Sequence, residues 1–288
     1  MTMMKKHTVL YSIIILLLFF CFPEVIISSS TSYYFRTLGI NDGLSQSTVN
    51  AILQDQKGFM WIGTKDGLNQ YDGQECRVFQ KENSSLGNNF ITALYEDCEG
   101  YIWVGTDAGV YIYNPVQEAF QFLDTEIASS GEKITRAVTW ITSDSQNNIW
   151  ISVDNQGLFC YNRGKKNLTK VVSCGKSGIA NVTHFWFYAG QLWIARYEDN
   201  LYVSKDNSSF NAFNDVDGED IFKGLVINSY VEGLHNCLYV GTSKGLMEIN
   251  LTSRKVRKLL DEYVRDICFR SDTDLWIGTE QGLYRPVL

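Results

Sequence analysis

Past residue 30 the chain holds two histidines, His184 and His235, in different parts of the sequence. Neither has a partner at a spacing that would build a zinc site or a hydrolytic triad. Six cysteines follow the same point, Cys76, Cys98, Cys160, Cys174, Cys237 and Cys268, irregularly spaced and never as C-x-x-C. Redox and zinc chemistry are thereby set aside; disulfides in an oxidising compartment and burial as small apolar groups both stay open. No metal, no cofactor and no catalytic residue is assigned. Sugar chemistry of the binding kind has better candidates. Trp140 and Trp186 are indoles that could stack on the C–H face of a sugar ring, or pack in a core. Arg136, Arg196 and Arg265 could hold acidic substituents by paired hydrogen bonds, or serve as solvated surface charge.

These side chains are carried by a repeated phrase. WIGTKDGLNQYD begins at Trp61, WVGTDAGVYIYN at Trp103, WISVDNQGLFCYN at Trp150, WIARYEDNLYVS at Trp193, YVGTSKGLMEIN at Tyr239 and WIGTEQGLYR at Trp276. The landmarks are 42, 47, 43, 46 and 37 residues apart. Ahead of three copies runs a second phrase, VNAILQDQKGFMW, ITALYEDCEGYIW and VTWITSDSQNNIW, in which Asp55, Asp97 and Asp144 each precede the tryptophan by six residues. Those aspartates read as turn formers, which argues against a glycosidase pair of carboxylates ~5–10 Å apart. Trp140 departs from the repeat, standing where the first two copies have Ala51 and Ala93; Trp186 also lies outside the repeated tryptophan position.

Each copy reads as a strand, an aspartate turn, a second strand, a tight glycine-closed turn, and two more short strands. Four strands in roughly 40 to 45 residues is the period of a propeller blade. The expected fold is an all-β propeller of about six blades, with repeats near 49–80, 91–122, 137–172, 182–213, 226–258 and 263–285. The last lacks an outer strand, and residues 33–38 (YYFRTL) are expected to supply it and tie the ends of the ring together. Trp61, Trp103, Trp150, Trp193 and Trp276 are expected to wedge between neighbouring blades, each burying ~150–250 Å². Gly63, Gly105, Gly241 and Gly278 should leave room where blades crowd together, and Gly67 and Gly109 should close hairpins at positive φ.

The stretch GLSQSTVNAILQDQKGFMWIGTKDGLNQYDG, residues 43–73, resembles the two-component regulator propeller repeat, and the likeness recurs through the six copies. The resemblance implies the periplasmic sensor region of a Bacteroides-type hybrid two-component system, one that detects oligosaccharides. It also implies seven blades where six are counted here, so that a closed six-bladed ring and a truncated seven-bladed one are both expected forms. Such sensors carry kinase and receiver domains whose motifs do not occur in this sequence, so the expected partners are those domains or a second propeller subunit.

Residues 1–30 run from Lys5 and Lys6 through an apolar stretch, Val9 to Phe22, to Ser28–Ser30. That is the pattern of a secretory signal, or of an uncleaved membrane anchor if the run extends through Val25 to Ile27. A periplasmic location follows. Net charge is −7 and no stretch of five or more Lys and Arg occurs, which argues against nucleic acid as a partner. Three readings remain in order: a sensor that binds oligosaccharide, a protein-interaction scaffold, and a propeller hydrolase or lyase.

Overall fold

The computed structural model describes residues 34–171, 182–207, 209–271 and 274–285. Residues 38–288 cluster as one unit, and among its described residues the structure is a β-propeller of six antiparallel sheets. Blade 1 comprises Val49–Gln54, Met60–Thr64, Gly67–Tyr71 and Cys76–Phe79; blade 2, Ile91–Glu96, Ile102–Thr106, Gly109–Asn114 and Ala119–Phe122; blade 3, Val138–Ser143, Ile149–Val153, Gly157–Asn162 and Asn167–Lys170. Blade 4 comprises Val182–Tyr188, Gln191–Arg196, Leu201–Ser204 and Asn211–Ala212; blade 5, Ile227–Glu232, Cys237–Thr242, Gly245–Asn250 and Lys255–Leu260; blade 6, Val264–Ser271, Asp274–Thr279 and Gly282–Tyr284. Strands pair in sequence order within each sheet, and the first strand of each blade packs on the first strand of the next.

Second strands such as IWVGT and IWISV are buried along their whole length, as apolar runs covered on both faces must be. In all six blades the first strand slips register after its opening residue, leaving a bulge at Asn50, Thr92, Thr139, Thr183, Asn228 and Arg265. A bulge turns its extra side chain away from the regular alternation. Three of these residues use that freedom to cross to the next blade: Asn50 donates to the Ile91 carbonyl at 2.8 Å, Thr139 to Val182 at 3.1 Å and Asn228 to Val264 at 2.7 Å.

At three junctions the contact between blades is a β-branched residue set into a glycine. A Cβ built on Gly63 would lie 2.5 Å from Ile91 Cγ2, and one on Gly105 2.8 Å from Val138 Cγ1, so only glycine admits the neighbour. Ile91, Val138 and Val264 are buried in this way against Gly63, Gly105 and Gly241, and Val182 and Ile227 are buried at junctions where the preceding blade carries Ser152 and Ala195 at the glycine position, whereas Val49 of blade 1 is 39% exposed. The opposite face repeats the contrast. Leu68, Val110, Leu158, Leu201 and Leu246 are buried while Leu283 of blade 6 is 51% exposed, and a Cβ on Gly278 would meet nothing but its own blade. Five junctions each bury a β-branched residue at this position, and among the described residues the leading face of blade 1 and the trailing face of blade 6 are left uncovered.

Two expectations need correction or placement. Residues 34–39 form no strand, Tyr34 and Phe35 are exposed, and the sixth sheet has three strands. The third strand there, Gly282–Tyr284, is three residues long and is the outermost of the sheet. The signal or anchor expected at 1–30 lies outside the described residues, and no helix among the described residues is long and apolar enough to cross a membrane. Cys76, Cys98, Cys160, Cys237 and Cys268 are free thiols; Cys174 is outside the described residues.

The asymmetry is measurable. Gly105→Ala should lose about 1–3 kcal/mol in denaturant unfolding by forcing Val138 aside. Gly278→Ala should be neutral or gain up to about 1 kcal/mol, because only the unfolded chain is restricted. Equal losses would mean that Gly278 also faces a packed blade.

Candidate functional site

At one end of the blades, where first strand turns into second, the repeat aspartates do more than shape the turn. Asp55 Oδ1 accepts the backbone N–H groups of Lys57 and Phe59 at 3.0 and 2.9 Å, and its Oδ2 accepts the Trp61 indole N–H at 2.8 Å. Asp97 holds Glu99, Tyr101 and Trp103 likewise, and Asp144 holds Gln146, Asn148 and Trp150. Asp97 is buried and also receives the Arg163 guanidinium of blade 3 at 2.9 Å. The six-residue interval is thus the reach of a carboxylate from its turn to the indole on the adjacent strand. Each clasped indole then meets an aromatic ring of the next blade: Trp61 with Tyr113, Trp103 with Tyr161 and Trp150 with Phe187, ring centres 5.0 to 5.7 Å apart. Blade 5 substitutes Tyr239, which bonds Glu248 and packs on Phe269 of blade 6. Trp276, with no following blade against it, is half-buried.

The first strands of blades 2 to 5 carry a continuous polar and aromatic group. Tyr95 and Ser143 share a hydrogen bond of 2.7 Å. Trp140 packs against His184 at 4.6 Å and reaches Tyr230 at 6.4 Å, and Tyr230 stacks on Trp186 at 4.2 Å. The Trp140 Nε1, His184 Nδ1, Trp186 Nε1 and Ser229 Oγ atoms are buried without a hydrogen-bond partner. Burial pushes the Tyr230 hydroxyl well above the usual phenol range, helped by Glu232. Burial also lowers the His184 imidazole to about 4, against the smaller effect of its bond to the Ile227 backbone.

The five candidate ligand residues do not gather into one site. Trp140 is half-buried beside His184, but Trp186 is 1% exposed between Tyr230 and Trp193, so no sugar can stack on it without displacing one of those rings. Arg136, Arg196 and Arg265 share the hairpin end of the blades, beside the starts of the first strands, as the pairing of Val182 with Arg196 and of Val264 with Thr279 requires. Arg196 pairs with Asp199 at 2.9 Å over the Tyr202 ring, and Arg265 with Glu280 at 2.7 Å over Tyr263; Arg136 is exposed.

Among the described residues, cavities open at the opposite, aspartate-turn end at three of the junctions between blades. One of about 360 Å³ lies between blades 1 and 2 against Asp55, Trp61 and Tyr113; another of about 560 Å³ lies between blades 3 and 4 against Asp144 and Asn207. The third, about 690 Å³, lies between blades 4 and 5 against Trp193 and Arg254. None of the five candidate residues lines any of them. Sequence reasoning missed these clefts because they are made by turns meeting across blades. One signal was present: the repeat aspartate is missing ahead of Trp193. Among the described residues no group of His, Cys, Asp or Glu could hold a metal ion.

Residues 43–66, 85–108 and 258–281 match the family described as two component regulator propeller. A stretch of 50 residues, 17% of this chain, is 42% identical to the protein called histidine kinase P4 of Formosa agariphila, of which it covers 4%. The whole structure resembles the extracellular domain of the hybrid two component system BT3049 of B. thetaiotaomicron, with a TM-score of 0.73 and 27% identity over 88% of this chain and 35% of that one. The extracellular domain of BT4673 from the same organism matches with a TM-score of 0.60 and 18% identity over 86% of this chain and 42% of that chain, a likeness of fold. The chain spans well under half the length of each.

His184 makes the folded state sensitive to mild acid. Its folded value, about 4, lies below the ordinary ~6.5, so the unfolded chain takes up the proton first and stability falls as pH drops from ~6.5 toward 4. The loss should reach roughly 2 kcal/mol at pH 4.5 beyond that of His184→Phe, read from urea unfolding of both proteins at pH 7 and 4.5. Parallel profiles would show that the imidazole is already charged in the folded protein.

Proposed function

We propose that this chain, which carries two-component regulator propeller repeats and resembles the extracellular regions of hybrid two-component systems, is a ligand-sensing propeller. In this reading it is exported to the periplasm, performs no catalysis, and recognises oligosaccharides on behalf of signalling domains elsewhere. The observation that carries it is the 27% identity and TM-score of 0.73 with one such extracellular domain across 88% of the chain. Trp140, backed by His184 and Tyr230, is assigned as the aromatic wall for a sugar; Arg136, Arg196 and Arg265 are assigned to acidic substituents at the same end. Transmission requires that ligand favour one arrangement of propeller and partner over another, since equal affinity for both moves nothing. The uncovered faces of blades 1 and 6 support a partner being a further domain or a second propeller.

The alternative is a scaffold whose faces grip another protein, favoured by those same exposed faces. A thermal-shift screen against neutral and acidic oligosaccharides separates the two. Ligand at about 100 times its dissociation constant adds roughly 2.7 kcal/mol, so a selective rise in Tm that Trp140→Ala abolishes is expected. A cooperative melt unmoved by every sugar, with a periplasmic protein co-purifying, would favour the scaffold instead.

A further inference from the structure

Blade 4 breaks a rule that blades 1 to 3 keep. In those three the indole N–H ends on a turn carboxylate at 2.7 to 2.9 Å, delivered by a five-residue connection between first and second strands. In blade 4 the residue six before Trp193 is Phe187, and the connection is cut to two residues, Ala189 and Gly190. Trp193 is 2% exposed and its Nε1 has no hydrogen-bond partner. A buried donor of this kind is costly to leave unmet.

Trp193 lines the cavity of about 690 Å³ at the junction of blades 4 and 5. The volume is that of a small-molecule site. Its walls include Tyr188 and Phe213, and two cations, Lys205 and Arg254. Arg254 lies over the Phe213 ring at 4.9 Å, braced by donation to the Asn214 carbonyl at 3.1 Å. The lining holds one carboxylate, Asp206, which is occupied by the Ser204 and Ser209 hydroxyls at 3.0 Å. Positive charge and aromatic rings thus line the cavity beside a buried, unmet indole donor, whose counterparts in blades 1 to 3 each end on a carboxylate of their own blade.

We propose that this cavity binds a small carboxylate, whose oxygen occupies on Trp193 the place that Asp55, Asp97 and Asp144 occupy on Trp61, Trp103 and Trp150, and whose charge is met by Arg254 and Lys205. A uronic acid carries this group, and so does a free carboxylic acid. The site goes beyond the sensor reading and does not need it, since it follows from the internal repeat alone.

The test is a titration of the chain labelled with ¹⁵N-tryptophan, whose seven indoles give separate N–H signals, with the Trp193 signal identified by its loss in Trp193→Phe. Propionate, D-glucuronate and the neutral methyl glucoside are the probes. The Trp193 signal should move with a carboxylate and stay still with methyl glucoside. Arg254→Gln, a change at an exposed side chain, should weaken the response at least tenfold while the other indole signals hold their positions. A response to both acids assigns the site to carboxylates at large, and a response to D-glucuronate alone assigns it to acidic sugars. A Trp193 signal that neither acid moves, that the neutral glycoside moves equally, or that Arg254→Gln leaves equally sensitive would overturn the proposal. Failure of neutral oligosaccharides to bind elsewhere on the protein would bear on the sensor reading only.

Discussion

The seating of one β-branched residue against a small residue of the preceding blade, glycine at three of the five junctions and Ser152 or Ala195 at the others, is the contact on which the structure depends. A four-stranded sheet buries only part of its apolar surface by itself, and each blade here completes its burial against its neighbours. Ile91 against Gly63 and Val138 against Gly105 set the closest approach of inner strands. The bulge that follows sends a polar side chain across to the next carbonyl, fixing register between sheets that share no ladder. At the far end of the same strands, in blades 1 to 3, the aspartate clasp holds Trp61, Trp103 and Trp150 where they meet the next blade. Burying a valine or isoleucine is worth about 1.5–3 kcal/mol, so every junction is a substantial share of a domain's marginal stability.

From that contact the functional surfaces follow. Because every junction buries a β-branched residue at the same position, departures elsewhere in the pattern have consequences that can be placed. Trp140 and His184 enlarge the inner strands where blades 1 and 2 have alanine, and fill that space with rings instead of leaving it open. Arg163 reaches from blade 3 to the buried Asp97 and occupies the turn end of the junction between blades 2 and 3. At three other junctions the turns leave cavities. The unmatched faces of blades 1 and 6 are the same contact with one side missing, so they expose Val49 and Leu283 in place of a buried pair.

Much of this was legible in the sequence. The recurrence of W-I-G-T with glycine three residues on located the blades, since a period of about 40 to 45 residues with strand-turn-strand chemistry admits few other folds. Tryptophan wedges and crowding glycines were foreseen, with Trp276 and Gly278 as the exceptions because, among the described residues, no neighbouring blade packs against theirs. Two things escaped. Residues 33–38 have strand-like composition, yet a strand is decided by the edge offered to it, and blade 6 offers three residues. Trp186 looked like a departure available to ligand, but it lies two positions further along its strand than Trp140 does along its own, on the same face of the pleat, where it pairs with Trp193 and is covered by Tyr230. The aspartate was recognised as a turn former and not as an indole anchor, because the bond spans two strands and only register reveals it.

Stability resides in the five junctions, and among the described residues the two outer faces are uncovered. Hydrogen exchange of backbone amides tests it most directly, since local opening reports how each strand is held. The second strands of blades 2 to 5 should exchange slowest and at a common rate, while the first strand of blade 1 and all of blade 6 exchange faster by at least a hundredfold. Protection in Val49–Gln54 and Asp274–Thr279 equal to that of Ile102–Thr106 and Ile149–Val153 would contradict the account, showing a ring whose ends meet.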